Sequence, residues 1–481
     1  MVRSLLLLLV AASPLVAQKL PDASQPLSVI AFGSCADQAK PLAIYDTIAE
    51  LKPDLLLLLG DNIYADLDKG RKVTPEVIRE KYGILAAKPE WQRLKAAAPM
   101  LATWDDHDFG KNDGGAEFAI RDESQKLFLD FFGTPKDSSR RARKGVYDAH
   151  VFGPAGKRVQ VIMLDTRYFR TGLKTGKGRQ IAPYGFIREP YEPSSDPAAM
   201  FLGEEQWAWL AEQLKVPADV RLLCSSIQVL SDEHPFEKWA NIPAERARLY
   251  KTIADSGAKG VVVLSGDRHL GELSLTTGAI DYPLYDITAS GLTQASKVWR
   301  LPETNSKRVA AMQYGDHFGV VKINWSKSDP AVSLQLRDEA GEIALKQTFP
   351  LSLLTPAPGG AKKGGAAMKP GELPRPEGVL TPAEAAAKVG EAVTVQYAVV
   401  GGRAVSGGKR ILLNSDRDFK AKANFTVVVN EAALTGPYAN ATYDTFAGKT
   451  VRATGTVTEF NGAPQVQVTD AKQLVIVEPG R

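Results

Sequence analysis

Cysteine is nearly absent: Cys35 and Cys224 are the only two in 481 residues. So few thiols exclude a disulfide-stapled scaffold, and a chain of this length buries a sufficient core without one. Cys224 lies inside the apolar run VRLLCSS and reads as a packed core thiol, whereas Cys35 ends a strand and reads as a thiolate ligand. An excess of charge of one sign is also missing. The net charge is +4, from 59 basic and 55 acidic residues, which does not by itself call for nucleic acid or a membrane surface. After the first residues, no apolar run is long enough to cross a bilayer. The chain has no G-x-S-x-G elbow, no Walker loop, no H-E-x-x-H helix and no dinucleotide glycine fingerprint, which excludes the hydrolases and nucleotide enzymes built on them. What is present is ordinary: 44% hydrophobic and 24% charged residues, in a length that suits two or three domains.

Residues 1–17, MVRSLLLLLVAASPLVA, read as a secretory signal. Arg3 supplies the positive start, residues 5–12 the apolar stretch, and Leu15-Val16-Ala17 the cleavage site. The stretch is too short to span a bilayer, and no cysteine follows it where a lipid would attach. The expected location is secreted or periplasmic, with no transmembrane segment in the mature chain.

Residues 18–355 read as one α/β domain. Short apolar runs at 27–32, 55–59, 159–164, 220–224 and 260–264 predict strands. Segments 40–51, 203–214 and 244–256 carry apolar residues three and four apart and predict helices, with Trp207 and Trp209 as core residues. From 317 to 350 the pattern alternates and predicts antiparallel strands. Residues 356–376, rich in Pro, Gly, Ala and Lys, read as a flexible linker.

Residues 377–481 read as a small all-β unit with a hairpin turn at Asn461-Gly462. Its five segments, above all GKTVRATGTVTEFNGAPQVQVTDAKQL, resemble bacterial OB-fold barrels. Such barrels often bind nucleic acid through aromatic and basic residues. Here the aromatics are scattered and the chain is expected to be exported. Nucleic acid is therefore a less favoured substrate, and cell-surface, substrate or partner docking is the expected role.

Chemistry gathers where the apolar runs stop. Residues 30–35 read IAFGSC, 55–64 LLLLLGDNIY, 99–108 PMLATWDDHD and 261–269 VVVLSGDRH. Ligands of open α/β sheets bind beyond the carboxyl ends of the strands. Cys35, Asp61, Tyr64, Asp105, Asp106, His107, Asp267 and His269 are therefore expected at one sheet edge, the arrangement of a polynuclear metal site. A phenolate from Tyr64 is a hard donor, and Asp61 has two oxygens with which to bridge ions. The acids and Asn112 of WDDHDFGKND repel one another unless cations neutralise them, and such oxygen donors suit calcium or magnesium. Asp267 and His269 share a face of an extended chain, with Arg268 between them pointing elsewhere. In LDTRYFR, Arg167 is placed either to bind phosphate oxygens or to make a structural ion pair with a nearby acid. His234 lies near the mouth or packs in a loop.

Together FGSC, GDNIYAD, WDDHDFGKND, LDTRYFR, SSIQVL with HPFEKW, and SGDRH resemble, in order, the PhoD-like alkaline phosphatases of the calcineurin-like metallophosphoesterase superfamily. The resemblance runs from about residue 28 to about residue 325. It implies a metallophosphoesterase β-sandwich flanked by helices (αββα) and hydrolysis of phosphomonoesters or phosphodiesters. The implied cofactors are Fe(III) and Ca2+. Cys35, Asp61, Tyr64, Asp267 and His269 would surround the iron, and Asp61, Asp106 and Asn112 would help hold calcium. His107 would lie beside the phosphate; apart from the resemblance, His107 and Arg167 are the candidate helpers that neutralise charge on the phosphate oxygens. Asn62 stands where many members have Tyr, and the appended barrel is a second departure.

Overall fold

The computed structural model describes residues 20–477 except 178, 183–184, 189, 298–302, 313, 357–377, 417, 422–423, 440 and 448. The expected signal, and all but the first residue of the expected linker, lie outside the described residues. In chain order the first unit contains β1 (Val29–Gly33), α1 (Ala43–Leu51), β2 (Leu55–Leu59), α2 (Pro75–Ala87), α3 (Pro89–Ala97), β3 (Met100–Thr103), α4 (Asp106–Phe109) and α5 (Arg121–Phe131). It continues with β4 (Asp148–Phe152), β5 (Val159–Met163), β6 (Arg179–Ala182), β7 (Gly185–Arg188), α6 (Gly203–Lys215), β8 (Val220–Cys224), α7 (Pro243–Ser256) and β9 (Val261–Ser265). Then follow β10 (Gly271–Thr276), β11 (Leu284–Ala289), β12 (Arg308–Met312), β13 (His317–Asn324), β14 (Ala331–Asp338) and β15 (Ile343–Pro350).

Two large sheets result. One runs β15-β14-β13-β1-β2-β3, the other β12-β10-β11-β9-β8-β5-β4, and β6 and β7 form a separate hairpin. The β1-β2-β3 neighbours are parallel, as are β5-β8-β9-β11. Strand β2 shows why its sequence, LLLLL, does not alternate. Leu55, Leu57 and Leu59 enter the core shared by the two sheets, while Leu56 and Leu58 join a second core with α1, α2 and α3. Each such leucine contributes about 2 kcal/mol on burial, so both faces favour the strand. On the other side, Trp207, Leu210 and Leu214 of α6 and Leu249 and Ile253 of α7 pack into the core that holds β5, β8 and β9. The layering is helices, sheet, sheet, helices. Helix ends follow local chemistry: Thr74 caps α2 through the Val77 N–H at 3.4 Å, with Pro75 behind it, and Gly257 closes α7 at φ 65°.

The second unit has its own core, including Val395, Tyr397, Leu413, Phe425, Val451 and Val466. It holds β16 (Val379–Leu380), β17 (Ala392–Ala398), β18 (Gly401–Val405), β19 (Arg410–Asn414), β20 (Thr426–Asn430), β21 (Thr450–Phe460), β22 (Ala463–Val468) and β23 (Leu474–Val477). The long β21 pairs β17 with its first half and β22 with its second. Asn461 and Gly462, both at positive φ, turn β21 into β22. The strand path β16-β17-β21-β22-β20-β19-β18 leaves its two ends unpaired with each other among the described residues. Among those residues no helix is long and apolar enough to cross a membrane.

Candidate metal centre

The carboxyl ends of β1, β2 and β3 deliver Cys35, Asp61 and the Asp105-Asp106-His107 turn, and the end of β9 delivers Asp267 and His269. The expectation of a single sheet edge is corrected here. Strand β9 belongs to the seven-stranded sheet and the other three to the six-stranded one, so the ligands meet where the two sheets face each other. Backbone bonds tie the end of β1 to the end of β11, the neighbour of β9: Ser34 N–H to Ala289 O at 3.0 Å, and Thr293 N–H to Cys35 O at 3.0 Å. Seven described non-glycine residues hold positive φ, and five of them are Cys35, Asp61, Asp113, Asp267 and His269. Such backbones cost on the order of 1–3 kcal/mol each and cluster at functional sites.

The side chains converge. Cys35 Sγ lies 3.4 Å from Asp61 Oδ2 and 3.2 Å from Ser290 Oγ, and the Ser290 hydroxyl also accepts the His269 N–H at 2.8 Å. Tyr64 donates its hydroxyl to Asp61 Oδ2 at 3.2 Å and lies 3.4 Å from His269 Nε2. Asp61 Oδ1 accepts the His107 N–H at 3.3 Å. Three overlapping sets of donor atoms, each within 4.8 Å of one another, emerge: Cys35-Asp61-His269, Asp61-Asp106-His107 and Asp105-Asp106-Asp267. Asp61 belongs to two of them, and Asp106 to two. Asp108 points away from these sets and acts as a clamp. Its carboxylate accepts the N–H groups of Asp105, Asp61 and Asn62 at 2.6, 3.3 and 3.2 Å and the Asn62 side-chain amide at 2.5 Å. Asn62 thus ties the β2 and β3 turns together.

Electrostatics explain why this packing calls for cations. Asp105 Oδ2 and Asp106 Oδ1 are buried with no hydrogen-bond partner. Their other oxygens are engaged, by Arg167 and Ser226 on Asp105 and by the Asp113 N–H on Asp106, and a buried carboxylate oxygen left unmatched is costly unless a charge faces it. Burial raises the carboxyls of Asp61 and Asp105, with Asp106 adding repulsion on both, and pushes Asp267 and Asp108 up to about 7. Burial and then the Asp61 carboxylate push the Cys35 thiol and the Tyr64 phenol far up. Asp106 stays ionised: burial opposes this but is outweighed by His107 and Arg167. His107 goes up to about 11, because Asp106, Asp61 and Asp66 outweigh its burial, and its Nδ1 lies 2.6 Å from Asp66 Oδ1. A bound cation would invert this logic, favouring the ionised thiol, phenol and acids. Thiol, phenol, imidazole and carboxylate together fit a transition-metal ion, and the oxygen-only set fits a hard cation.

A cavity of about 390 Å³ opens beside these groups. Asp61, Asp106, His107, Asn112, Asp267 and His269 line it, together with Asp113, Tyr191, Phe236, Glu237, Arg268 and Glu303. Cys35 and Tyr64 lie behind the wall, buried. Asn112 Nδ2 donates to Asp113 Oδ2 at 2.9 Å, and the Tyr191 hydroxyl donates to the same oxygen at 2.8 Å.

Two arginine expectations are corrected. Arg167 is 0% exposed, with Nε bonded to Asp105 Oδ1 at 2.6 Å and a further terminal nitrogen paired with Asp105 and Glu237. Two buried carboxylates hold it below the cavity, so of the two roles open to it the structural ion pair prevails. Arg268 was expected to point away, yet it lines the cavity. It stacks over the Phe236 ring at 3.7 Å and pairs with Glu303 at 2.6 Å and Asp267 at 3.3 Å. The left-handed turns at Asp267 and His269 break the extended alternation that placed it elsewhere. His234 is buried, bonded to Gln228, and is not part of the cavity lining. Cys224 is a free core thiol. Sequence reasoning missed Ser290, Tyr191, Glu237 and Glu303, none of which sits in a dense acidic cluster. Asp105, named among the convergent acids but not as a ligand, was legible in WDDHD.

The pattern of the PhoD-like phosphatase family matches residues 30–276, just over half of the chain and the ends of β1, β2, β3 and β9. Alkaline phosphatase D of Bacillus subtilis (strain 168) is 24% identical over 290 residues, which cover 52% of this chain and 47% of that protein. The chain thus spans about half the length of this curated relative. A solved structure of PhoD, at 19% identity, superposes with a TM-score of 0.52 over 70% of this chain and 74% of the other, a likeness of fold. The chain belongs to the PhoD-like phosphatase family.

Proposed function

We propose that this chain is an exported, metal-dependent phosphoesterase acting on phosphomonoesters or phosphodiesters, with Fe(III) and Ca2+ as its cations. Cys35, Asp61, Tyr64, Asp267 and His269 would hold the iron, and Asp61, Asp106 and Asn112, joined by Asp105, the calcium. The observation that carries this reading is the pair of buried carboxylate oxygens without partners, on Asp105 and Asp106, inside overlapping donor sets beside an open cavity. Bound cations would supply Lewis-acid polarisation of phosphate oxygens and lower the pKa of water.

The protein's own groups divide the remaining work. Asp66 fixes the His107 ring through Nδ1, which leaves Nε2 to meet a phosphate oxygen or the leaving group as a charged donor. Arg268 takes the role expected of Arg167: it is the one arginine or lysine in the described lining, stiffened by Phe236 and Glu303. A planar guanidinium suits a phosphate oxygen pair. Arg167, between Asp105 and Glu237, positions Asp105 from below. The described lining holds no Ser, Thr or Cys, so water is the fitting nucleophile. Tyr191 and Phe236 offer an aromatic wall to the alcohol portion of the ester.

The test is hydrolysis of bis-p-nitrophenyl phosphate and p-nitrophenyl phosphate by the purified full chain, metal-loaded and chelated. Metal-dependent turnover of either ester is expected. Absence of turnover of both by protein carrying iron and calcium would overturn the reading.

A further inference from the structure

Away from the metal cavity, the outer face of β13–β15 concentrates positive charge. Alternation sends Val321, Ile323, Val332, Leu334 and Leu336 into the core between the sheets and leaves Lys322, Ser333, Gln335, Arg337 and Lys346 on the opposite face. Register orders them. Lys322 is level with Ser333, and Ser333 with Thr348; on the next same-face rung Gln335 is level with Lys346; on the next Arg337 is level with Ile343. Such rungs lie two residues apart, about 7 Å. Each of three successive rungs therefore carries one cation, and the first two also carry a neutral hydroxyl or amide. Lys327, from the β13–β14 turn, extends the row.

The face is concave and encloses about 640 Å³. The one carboxylate in its described lining, Asp329, is engaged by the Ser352 N–H at 3.1 Å and the Ser352 hydroxyl at 2.5 Å. Arg337 is held by Gln335 Oε1 and Gly341 O at 2.9 to 3.1 Å. Lys322, Lys327 and Lys346 have no ion pair among the described residues. Thr348 Oγ1 is buried there with no hydrogen-bond partner.

We propose that this face docks a linear acidic polysaccharide, with its carboxylates facing Lys322, Lys327, Arg337 and Lys346 and a sugar hydroxyl meeting the exposed Asn324. Charge complementarity selects a polyanion, and cations spread over three successive rungs suit an extended one. A flat anionic bilayer cannot follow a concave surface. Single-stranded nucleic acid is held by aromatic stacking as well as by cations. The one aromatic in the described lining, Phe349, is 2% exposed and stacked on Tyr285 at 4.6 Å, so it offers no platform. The inference is independent of the phosphoesterase reading.

The experiment uses full-length protein and fluorescently labelled polygalacturonate, with dextran, a single-stranded oligonucleotide and phosphatidylglycerol vesicles as competitors. Polygalacturonate is expected to bind at low salt, to weaken as salt rises, and to be displaced by none of the three. The Lys322→Gln/Lys327→Gln/Lys346→Gln variant should bind at least about tenfold more weakly, with unchanged melting temperature and unchanged hydrolysis of small phosphate esters. The Lys322→Arg/Lys346→Arg variant should retain binding, which separates charge from folding. No binding by the wild type, equal binding by the triple glutamine variant, or tighter binding of oligonucleotide or vesicles would overturn the proposal.

Discussion

The Sγ of Cys35 and Oδ2 of Asp61 lie 3.4 Å apart, although the two residues are 26 positions apart and end neighbouring parallel strands. Both take left-handed backbones, at φ 65° and 51°, and so turn their side chains off the ends of β1 and β2 into the same space. Gly60 makes this approach feasible, because at φ +108° it lets the β2 turn lie directly against the β3 turn.

Gly60→Ala should therefore be severe. A Cβ at position 60 would sit 2.5 Å from Asp105 Cβ and 2.6 Å from the Asp105 nitrogen, in a backbone conformation that alanine resists. A loss of at least about 2 kcal/mol is expected, together with reduced metal content, because the strain displaces Asp105. Chemical denaturation and metal analysis of the same sample check this. A variant with wild-type stability would show that the two turns are free to separate.

The arginines should part company. Arg167→Gln leaves Asp105 and Glu237 buried without their shared cation, so it should cost about 3–5 kcal/mol and lower expression. Arg268→Gln leaves Glu303 without this cation at the cavity wall, so it should lower the melting temperature, though less than Arg167→Gln, while leaving metal content intact. It should raise KM for phosphate esters and the inhibition constant of inorganic phosphate by about tenfold or more. Steady-state kinetics alongside thermal melts distinguish the two. An Arg268→Gln variant with unaltered KM removes that residue from substrate binding.

Removing the metals should make stability depend on pH in a stated direction. With no cation nearby, Asp267 and Asp108 hold their protons up to about 7, against about 4 in an unfolded chain. A carboxyl raised on folding contributes stability that is complete below its unfolded value and lost as pH rises through its folded one. The chelated protein should thus melt progressively lower between pH 5 and 8, by a free energy on the order of 2–4 kcal/mol. Metal-loaded protein should stay flat over that range, so the gap between the two curves widens with pH. Parallel curves would mean that cations do not neutralise these acids.

His234 should set an acid limit. Burial first, then Arg268 and Lys238, hold its imidazole well below its ordinary value. It accepts the Phe236 N–H at Nδ1 and bonds Gln228 through Nε2. A histidine lowered on folding gives stability that is complete above about pH 6.5 and lost as pH falls below it. His234→Gln should flatten the fall in melting temperature between pH 6.5 and 5. An unchanged slope would assign the acid sensitivity to other groups.

Much of this was legible in the chain because parallel strands buried on both faces are spelled as plain apolar runs. LLLLL and VVVLS gave their strands and hence the positions of Asp61 and Asp267. Which sheet each strand joined was not legible, since an apolar run carries no mark of its neighbours. Arg268 was misplaced because alternation assumes extended backbone, and the chain leaves it at Asp267 and His269. Arg167 was ambiguous because its partner Glu237 lies 70 residues away in a loop without a repeating pattern. Ser290 carried no signal at all: a serine after a strand is commonplace, and only the fold brings its hydroxyl to Cys35.

The central claim is that strand ends of both sheets cage cations around Cys35 and Asp61. Elemental analysis of the purified full chain and of Cys35→Ser, paired with hydrolysis of bis-p-nitrophenyl phosphate, tests it most directly. Iron and calcium should accompany the wild type, and the variant should lose iron and at least about 100-fold of its rate together. A Cys35→Ser protein that keeps wild-type iron and rate, or a wild type that hydrolyses the ester after its metals are stripped, would contradict the account.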